Sequence, residues 1–127
     1  MANSHIFSAI LRIGDTAMAR AALEAALGAT LDRYEPTRMG SLYYAQLGLP
    51  IEEDIWGTIV DRIQALGPQI SALQQERLIG STCIDLAVSF AEGQMTLSVV
   101  VPSYAAEVVS RYGIDIEFSV YPVGDDQ

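Results

Sequence analysis

Lysine is absent from this sequence, and cysteine and histidine occur once each, as Cys83 and His5. One cysteine excludes an intramolecular disulfide, and one cysteine with one histidine excludes the usual zinc sites built from these ligands. The two residues also make a poor nucleophile–base pair, because His5 lies at the terminus and Cys83 lies inside a predicted strand. We therefore expect no metal and no cofactor.

Positive charge is scarce as well. All seven basic residues are arginines, and 16 Asp and Glu residues leave a net charge of −9. Such an acidic surface repels nucleic acid and anionic lipid, so neither is expected as a partner. The charge instead suits a basic protein partner or a cation.

Long hydrophobic runs and enzyme motifs are missing too. No apolar run reaches about 18 residues, the length that a membrane-spanning helix needs, and the N-terminal segment lacks the basic start of a signal peptide. We therefore expect a cytoplasmic protein. The sequence has no phosphate loop, no GxGxxG, HExxH or GxSxG motif and no EF-hand loop, which favours a protein that is not an enzyme.

Half of the 127 residues are apolar, which is enough for one domain over residues 1–127 with a hydrophobic core. Period-two alternation predicts strands over 6–13, 81–90, 95–101 and 114–121, and residues 41–49 are predicted as a further short strand. The turn sequence AEGQ makes 81–90 and 95–101 a predicted hairpin. The side chains expected to face the core are Phe7, Ala9, Leu11 and Ile13 in the first strand and Ile114, Ile116, Phe118 and Val120 in the last.

Apolar residues at three- and four-residue spacing predict helices over residues 16–27, 50–66 and 104–112. Gly67 and Pro68 interrupt the second of these. Because proline suits a first helical turn, residues 68–78 are predicted as a separate short helix. Residues 30–40 combine charged side chains with proline and glycine and are predicted as a loop.

This order of elements predicts an α+β fold. Strands with one polar face are typical of an open, largely antiparallel sheet, here of four to five strands. Helices packed on one face would bury its apolar side in a two-layer sandwich. The other face of the sheet would carry the polar residues.

Four segments are distinctive: FSAILRIG near the start, EPTRMG, the helical ALGPQISALQ and the closing RYGIDIEFSVY. Together they resemble an uncharacterised bacterial family, catalogued as domain of unknown function 4279, and the resemblance runs from Phe7 to Tyr121. The family usually has a tryptophan before its long helix, where this chain has Tyr43 and Tyr44. The resemblance implies a fold and a bacterial, cytoplasmic origin, and it implies no activity.

The polar face of the sheet is the first candidate site. Its members are expected to be Arg12, Asp85, Asp115, Glu117 and Tyr121, which all alternate with apolar residues. A cluster of carboxylates with an arginine can perform acid–base chemistry or hold a divalent cation. The same residues also suit a solvated face that meets a partner, and we favour this second interpretation.

The predicted loop 33–40 is the second candidate, because loops often carry binding residues. Arg33 and Arg38 lie within six residues of each other and can bind an anion or a carboxylate ligand. The alternative is a connecting loop whose arginines pair with the protein's own carboxylates, and the acidic composition favours it.

The leading hypothesis is a non-catalytic module that binds another protein. One version is an immunity-type protein, an acidic cap for a basic toxin, in which charge speeds the encounter. The alternative is a small enzyme or ligand-binding sensor that uses the acidic sheet face or the loop 33–40. A homodimer is compatible with the pattern if an edge strand, residues 94–101, is left uncovered.

Overall fold

The computed structural model describes residues 5–38 and 40–123. Five strands and three helices follow one another along these residues. The strands are β1 (Ile6–Thr16), β2 (Arg33–Pro36), β3 (Tyr43–Gly48), β4 (Thr82–Ala91) and β5 (Asp115–Val123). The helices are α1 (Arg20–Leu27), α2 (Ile55–Gln75) and α3 (Ser103–Arg111).

The five strands form one sheet in the order β2-β3-β1-β4-β5. Three of the four pairings are antiparallel, and only β4 and β5 run parallel. Parallel neighbours need a crossover connection, and the segment between β4 and β5 supplies it with α3. The predicted α+β fold with a largely antiparallel sheet is therefore confirmed.

The helices cover one face of the sheet. Side chains alternate along the strands, so that Leu11, Ile13, Ile84 and Leu86 are buried at 1% exposure or less. They pack with the apolar stripe of α2, where isoleucines recur every four residues and Trp56 is 2% exposed. One continuous core results, which contains none of the polar side chains of the opposite face.

The predicted strand over 95–101 is wrong, and with it the hairpin. Residues 94–102, all of them described, form no strand. They run as an extended segment in which Leu97, Val99 and Val101 lean on the core while Met95 and Val100 are exposed. These residues therefore alternate like a strand but do not pair with β4, because both edges of β4 are already occupied by β1 and β5.

The predicted break at Pro68 is also wrong, since α2 runs through it as one helix of 21 residues. A proline inside a helix removes the bond to the carbonyl four residues earlier, which belongs to Gln64. Gln64 and Pro68 are both exposed, so water can satisfy that carbonyl. Gly67 is buried beneath the ring of Tyr112, and a Cβ there would lie 2.4 Å from the ring.

The predicted loop over 30–40 contains a short strand. Residues 33–36 form β2, which pairs with β3 through Arg33 and Gln46 at one end and Pro36 and Tyr43 at the other. Proline is accepted there because β2 is an edge strand. The first helix starts at Arg20, four residues later than predicted, because β1 continues to Thr16.

Two aromatic residues expected in the core are exposed. Phe7 is 57% exposed because β1 has a bulge between Ile6 and Ser8, and the extra residue turns Phe7 toward the opposite face. Phe118 is 39% exposed and Val120 is 54% exposed, although both have the inward register of β5. The helices therefore leave part of β5 uncovered.

Candidate functional site

The face of the sheet that points away from the helices is the candidate site, and we call it the outer face. The pairing register identifies its members on all five strands. They are Arg33, Glu35, Tyr44, Gln46, Phe7, Ser8, Ile10, Arg12, Cys83, Asp85, Ala87, Ser89, Asp115, Glu117, Ser119 and Tyr121.

Asp85 is the centre of the outer face. The guanidinium Nη2 of Arg12 lies 2.6 Å from its Oδ2, and the hydroxyl of Ser119 donates to its Oδ1 over 2.7 Å. Asp85 is only 4% exposed, so the prediction of a solvated face is wrong at this residue. Three strands meet here, since β1, β4 and β5 contribute one residue each. A buried carboxylate needs such partners because it has lost its water.

Glu117 and Cys83 lie beside this ion pair. Glu117 Oε1 is 3.8 Å from Nη1 of Arg12, and the thiol of Cys83 donates to the same oxygen over 3.8 Å. Burial raises the pKa of the Cys83 thiol above its usual value, and the negative charge of Glu117 raises it further. A thiol held protonated is a weak nucleophile, which argues against covalent chemistry here.

One row of side chains crosses the whole outer face. Successive pairings join Arg33 to Gln46, Gln46 to Arg12, Arg12 to Cys83, and Cys83 to Asp115. With strands about 4.8 Å apart, Arg33 lies roughly 10 Å from Arg12 along this row. The predicted sheet-face site and one arginine of the predicted loop site therefore share a single surface.

An aromatic pair occupies the other end of the outer face. The rings of Phe7 and Tyr121 meet edge to face, with centroids 5.9 Å apart and planes at 65°. Tyr121 is 50% exposed, so both rings present apolar area to solvent. Charged residues at one end and aromatic residues at the other make this face amphipathic along the strands.

Arg33 and Arg38, the two arginines of the second candidate site, lie in different elements. Arg33 lies on β2 and pairs with Glu35 over 2.8 Å, with both side chains about half exposed. Arg38 is exposed in the turn between β2 and β3. The pairing of Arg33 with the protein's own carboxylate agrees with the connecting-segment alternative for this residue.

The arrangement offers no obvious reaction centre. Each carboxylate oxygen of Asp85 already has a partner, and the residue is buried, so a substrate has little access to this carboxylate. Among residues 5–38 and 40–123, no three His, Cys, Asp or Glu side chains are grouped so as to hold a metal ion. A groove of about 390 Å³ lies between α3 and the start of β5, lined mainly by apolar residues. It is open to solvent.

Three of the outer-face residues outside the predicted site illustrate what the sequence does and does not signal. Gln46 belongs to β3, where the sequence predicts a strand but does not indicate which of its side chains face outward. Cys83 is two residues from Asp85 and shares its face by simple alternation, so this signal was present. Phe7 reaches the face through a bulge, and the sequence carries no clear mark of it.

Comparison with known proteins leaves the chain without an assigned relative. No protein-family model, no curated protein and no solved structure matches it. The resemblance to domain of unknown function 4279 stays a prediction. In the described part of the chain, no helix is long and apolar enough to cross a membrane.

Proposed function

We propose that this protein is a non-catalytic binding module whose outer face contacts a protein partner. One observation carries the proposal. The helices leave the outer face of the sheet uncovered, and its central carboxylate, Asp85, already binds Arg12 and Ser119 while the rings of Phe7 and Tyr121 remain exposed. Tyrosine and arginine are enriched at protein interfaces. A face of this kind suits contact with a surface better than conversion of a substrate.

Charge favours a basic partner. The outer face carries four carboxylates and two arginines, and the whole chain carries a net charge of −9. The carboxylates are Glu35, Asp85, Asp115 and Glu117, and the arginines are Arg12 and Arg33. Opposite charge on a partner would accelerate association, and the effect would weaken with salt. An immunity-type role, in which the protein caps a basic toxin in a bacterial cytoplasm, belongs to this proposal.

The small-enzyme or sensor alternative has less support. It needs a recess with reactive or ligand-binding groups, whereas the groove beside α3 has Asp115 as its one charged lining residue and lacks Arg33 and Arg38. No specific contact favours this alternative over binding of a protein.

Affinity capture from native cells tests the proposal, with the wild type compared against Asp115→Lys/Glu117→Lys. The matched control is Asp61→Lys/Glu76→Lys, which makes the same change of net charge at exposed positions of the helical layer. We expect the captured protein to be basic, to be lost by the outer-face variant and to be retained by the control. Titration of the purified partner should show affinity falling as salt rises.

If both double variants lose the partner equally, the binding depends only on net charge, and this would contradict a binding outer face. Unchanged binding by Asp115→Lys/Glu117→Lys would place the contact elsewhere on the molecule. Release of a tightly bound small molecule on denaturation would favour the sensor alternative.

A further inference from the structure

The free edge of β5 has a defined set of unpaired backbone groups. The N–H of Glu92 donates to the carbonyl of Val123 at the end of the β4–β5 ladder. In a strand, the N–H and C=O of one residue point to the same side, and successive residues alternate. The register of β4 and β5 is continuous from Cys83 to Ala91, so the odd-numbered residues of β5 face β4.

The even-numbered residues therefore face the free edge. Ile116, Phe118 and Val120 each present one N–H and one C=O there, and no backbone bond to them occurs outside the β4–β5 ladder in the described residues. The residues on either side of these three do not extend the set of free backbone N–H groups. The N–H of Ile114 already donates to Val109, and Pro122 has no N–H, as expected for proline on the open side of an edge strand.

We propose that β5 pairs with β5 of a second copy, antiparallel and centred on Phe118, so that two sheets join into one. In this register Phe118 faces the partner's Phe118 as a hydrogen-bonded pair, and Ile116 faces the partner's Val120. Every free N–H of the three residues then donates to a free C=O of the other chain. The edge is thus complementary to itself, as a two-fold interface requires.

Side chains agree with this register on both faces. On the helix side, the exposed Phe118 and Val120 would meet the partner's Phe118 and Ile116, which removes apolar surface from water. On the outer face, Glu117 lies opposite the partner's Ser119, and Asp115 lies opposite the partner's Tyr121. No carboxylate stands directly opposite another, and each faces a hydroxyl that can donate to it.

The opposite edge of the sheet is protected against such pairing. β2 has only four residues, ends at Pro36 and carries the Arg33–Glu35 ion pair. Short length, proline and charge are the usual defences of an edge strand. β5 is longer, with nine residues, and its proline, Pro122, lies near its end, while its charged residues Asp115 and Glu117 both lie on the outer face. A discrete dimer, and not a growing filament, follows from one open edge per chain.

Charge sets the salt dependence of this dimer. Two chains of net charge −9 repel each other, and added salt screens the repulsion. We therefore expect dimerisation to strengthen as salt rises, whereas binding of a basic partner through the outer face should weaken. The two associations are distinguishable in this way, and the dimer is tested with the purified protein alone.

Sedimentation of the wild type over a concentration series should show the mass rising from 13.7 kDa toward twice that value. The rise should occur at lower protein concentration in about 0.5 M NaCl than in about 0.05 M NaCl, because the Debye length falls from about 14 Å to about 4 Å between these salt concentrations. Val120→Pro removes one edge N–H and should abolish the dimer. Circular dichroism of the variant shows whether it remains folded. A wild type that stays monomeric up to millimolar concentration would overturn the proposal.

Cross-linking tests the register directly. In a Cys83→Ser background, Phe118→Cys should form an intermolecular disulfide under mild oxidation, because facing Cα atoms of such a pair lie about 5.5 Å apart. Val120→Cys is the matched control, since the two copies of residue 120 would lie roughly 13 Å apart. A dimer in which Phe118→Cys fails to cross-link, or in which Val120→Cys cross-links equally well, would overturn it.

Discussion

Nη2 of Arg12 lies 2.6 Å from Oδ2 of Asp85 on a sheet face that the helices leave open, and Asp85 is nevertheless almost fully buried. The Arg12 side chain is 36% exposed, so the pair has one buried and one partly hydrated member. Nε of Arg12 is enclosed and meets no acceptor among the described residues. The Arg12 guanidinium therefore relies on the Asp85 carboxylate as its acceptor, and loss of that carboxylate would leave it without a close partner.

Asp85→Ala should lower the free energy of unfolding by roughly 1–3 kcal/mol, because it leaves Arg12 and Ser119 without their shared acceptor. Asp115→Ala and Glu117→Ala should each stay within about 0.5 kcal/mol of the wild type, since both residues are exposed. Urea unfolding measures all three. Equal cost at Asp85 and Glu117 would show that the central pair is no more stabilising than a surface ion pair.

Leu86 and Phe118 are neighbours across β4 and β5, yet the helices cover only the first. Leu86 is fully buried, and Leu86→Ala should cost about 2–5 kcal/mol through lost burial and the cavity left behind. Phe118 is 39% exposed, so Phe118→Ala should cost clearly less than the full-burial value of about 3–5 kcal/mol. Urea unfolding at low protein concentration, where any dimer dissociates, makes the comparison. A larger loss for Phe118 would contradict the uncovered edge.

Local alternation predicted most of the sheet but could not predict its order. The inward residues Leu11, Ile13, Ile84 and Leu86 follow from period two alone, and the polar register of Arg12, Asp85 and Glu117 follows with them. Whether these three residues touch depends on β1, β4 and β5 being neighbours. The order of strands in the sheet is set by long-range pairing, which a local sequence pattern does not predict.

Failures of the pattern have identifiable physical causes. Residues 95–101 alternate like a strand, but the edges of β4 are taken, so the alternation serves packing against the core. Phe7 has the inward phase of its strand until a bulge shifts it outward. Pro68 looks like a helix break, but Gln64, whose carbonyl it frees, is an exposed residue, so water can satisfy that carbonyl at little cost.

Replacing Gly67 by alanine should lower the stability of the protein, which is the opposite of the usual effect at a glycine inside a helix. Glycine to alanine inside a helix usually stabilises by about 1 kcal/mol. Here the new Cβ would lie 2.4 Å from the ring of Tyr112, and the clash must displace the ring or α3. Gly67→Ala should therefore destabilise by about 1–3 kcal/mol, measured by urea unfolding.

A second variant separates the clash from other effects. In Gly67→Ala/Tyr112→Ala the ring is absent, so the alanine at 67 should no longer be harmful compared with Tyr112→Ala alone. If Gly67→Ala remains equally destabilising without the ring, the contact between α2 and Tyr112 is not the reason for the glycine.

Cys83 should ionise at a higher pH in the folded protein than in the unfolded chain, because burial and then Glu117 raise its pKa above the usual 9.0. Only the thiolate reacts with iodoacetamide, so the midpoint of the alkylation rate against pH should be higher for the folded protein. The unfolded chain loses the thiol proton first as pH rises. The Cys83 thiol therefore contributes stability that is fully present below pH 9.0 and is lost as pH rises toward its folded pKa.

Glu117→Gln removes the negative charge beside the thiol and should move the alkylation midpoint of Cys83 downward, toward the unfolded value. Glu107→Gln is the matched control, because it removes one carboxylate from an exposed position on α3 and leaves the outer face intact. The midpoint, and not the plateau rate, is the readout, since a change in access alone would alter only the plateau. A midpoint that Glu117→Gln leaves in place would mean that the Glu117 carboxylate does not influence the thiol, and burial with the charge of Asp85 would then account for the raised pKa.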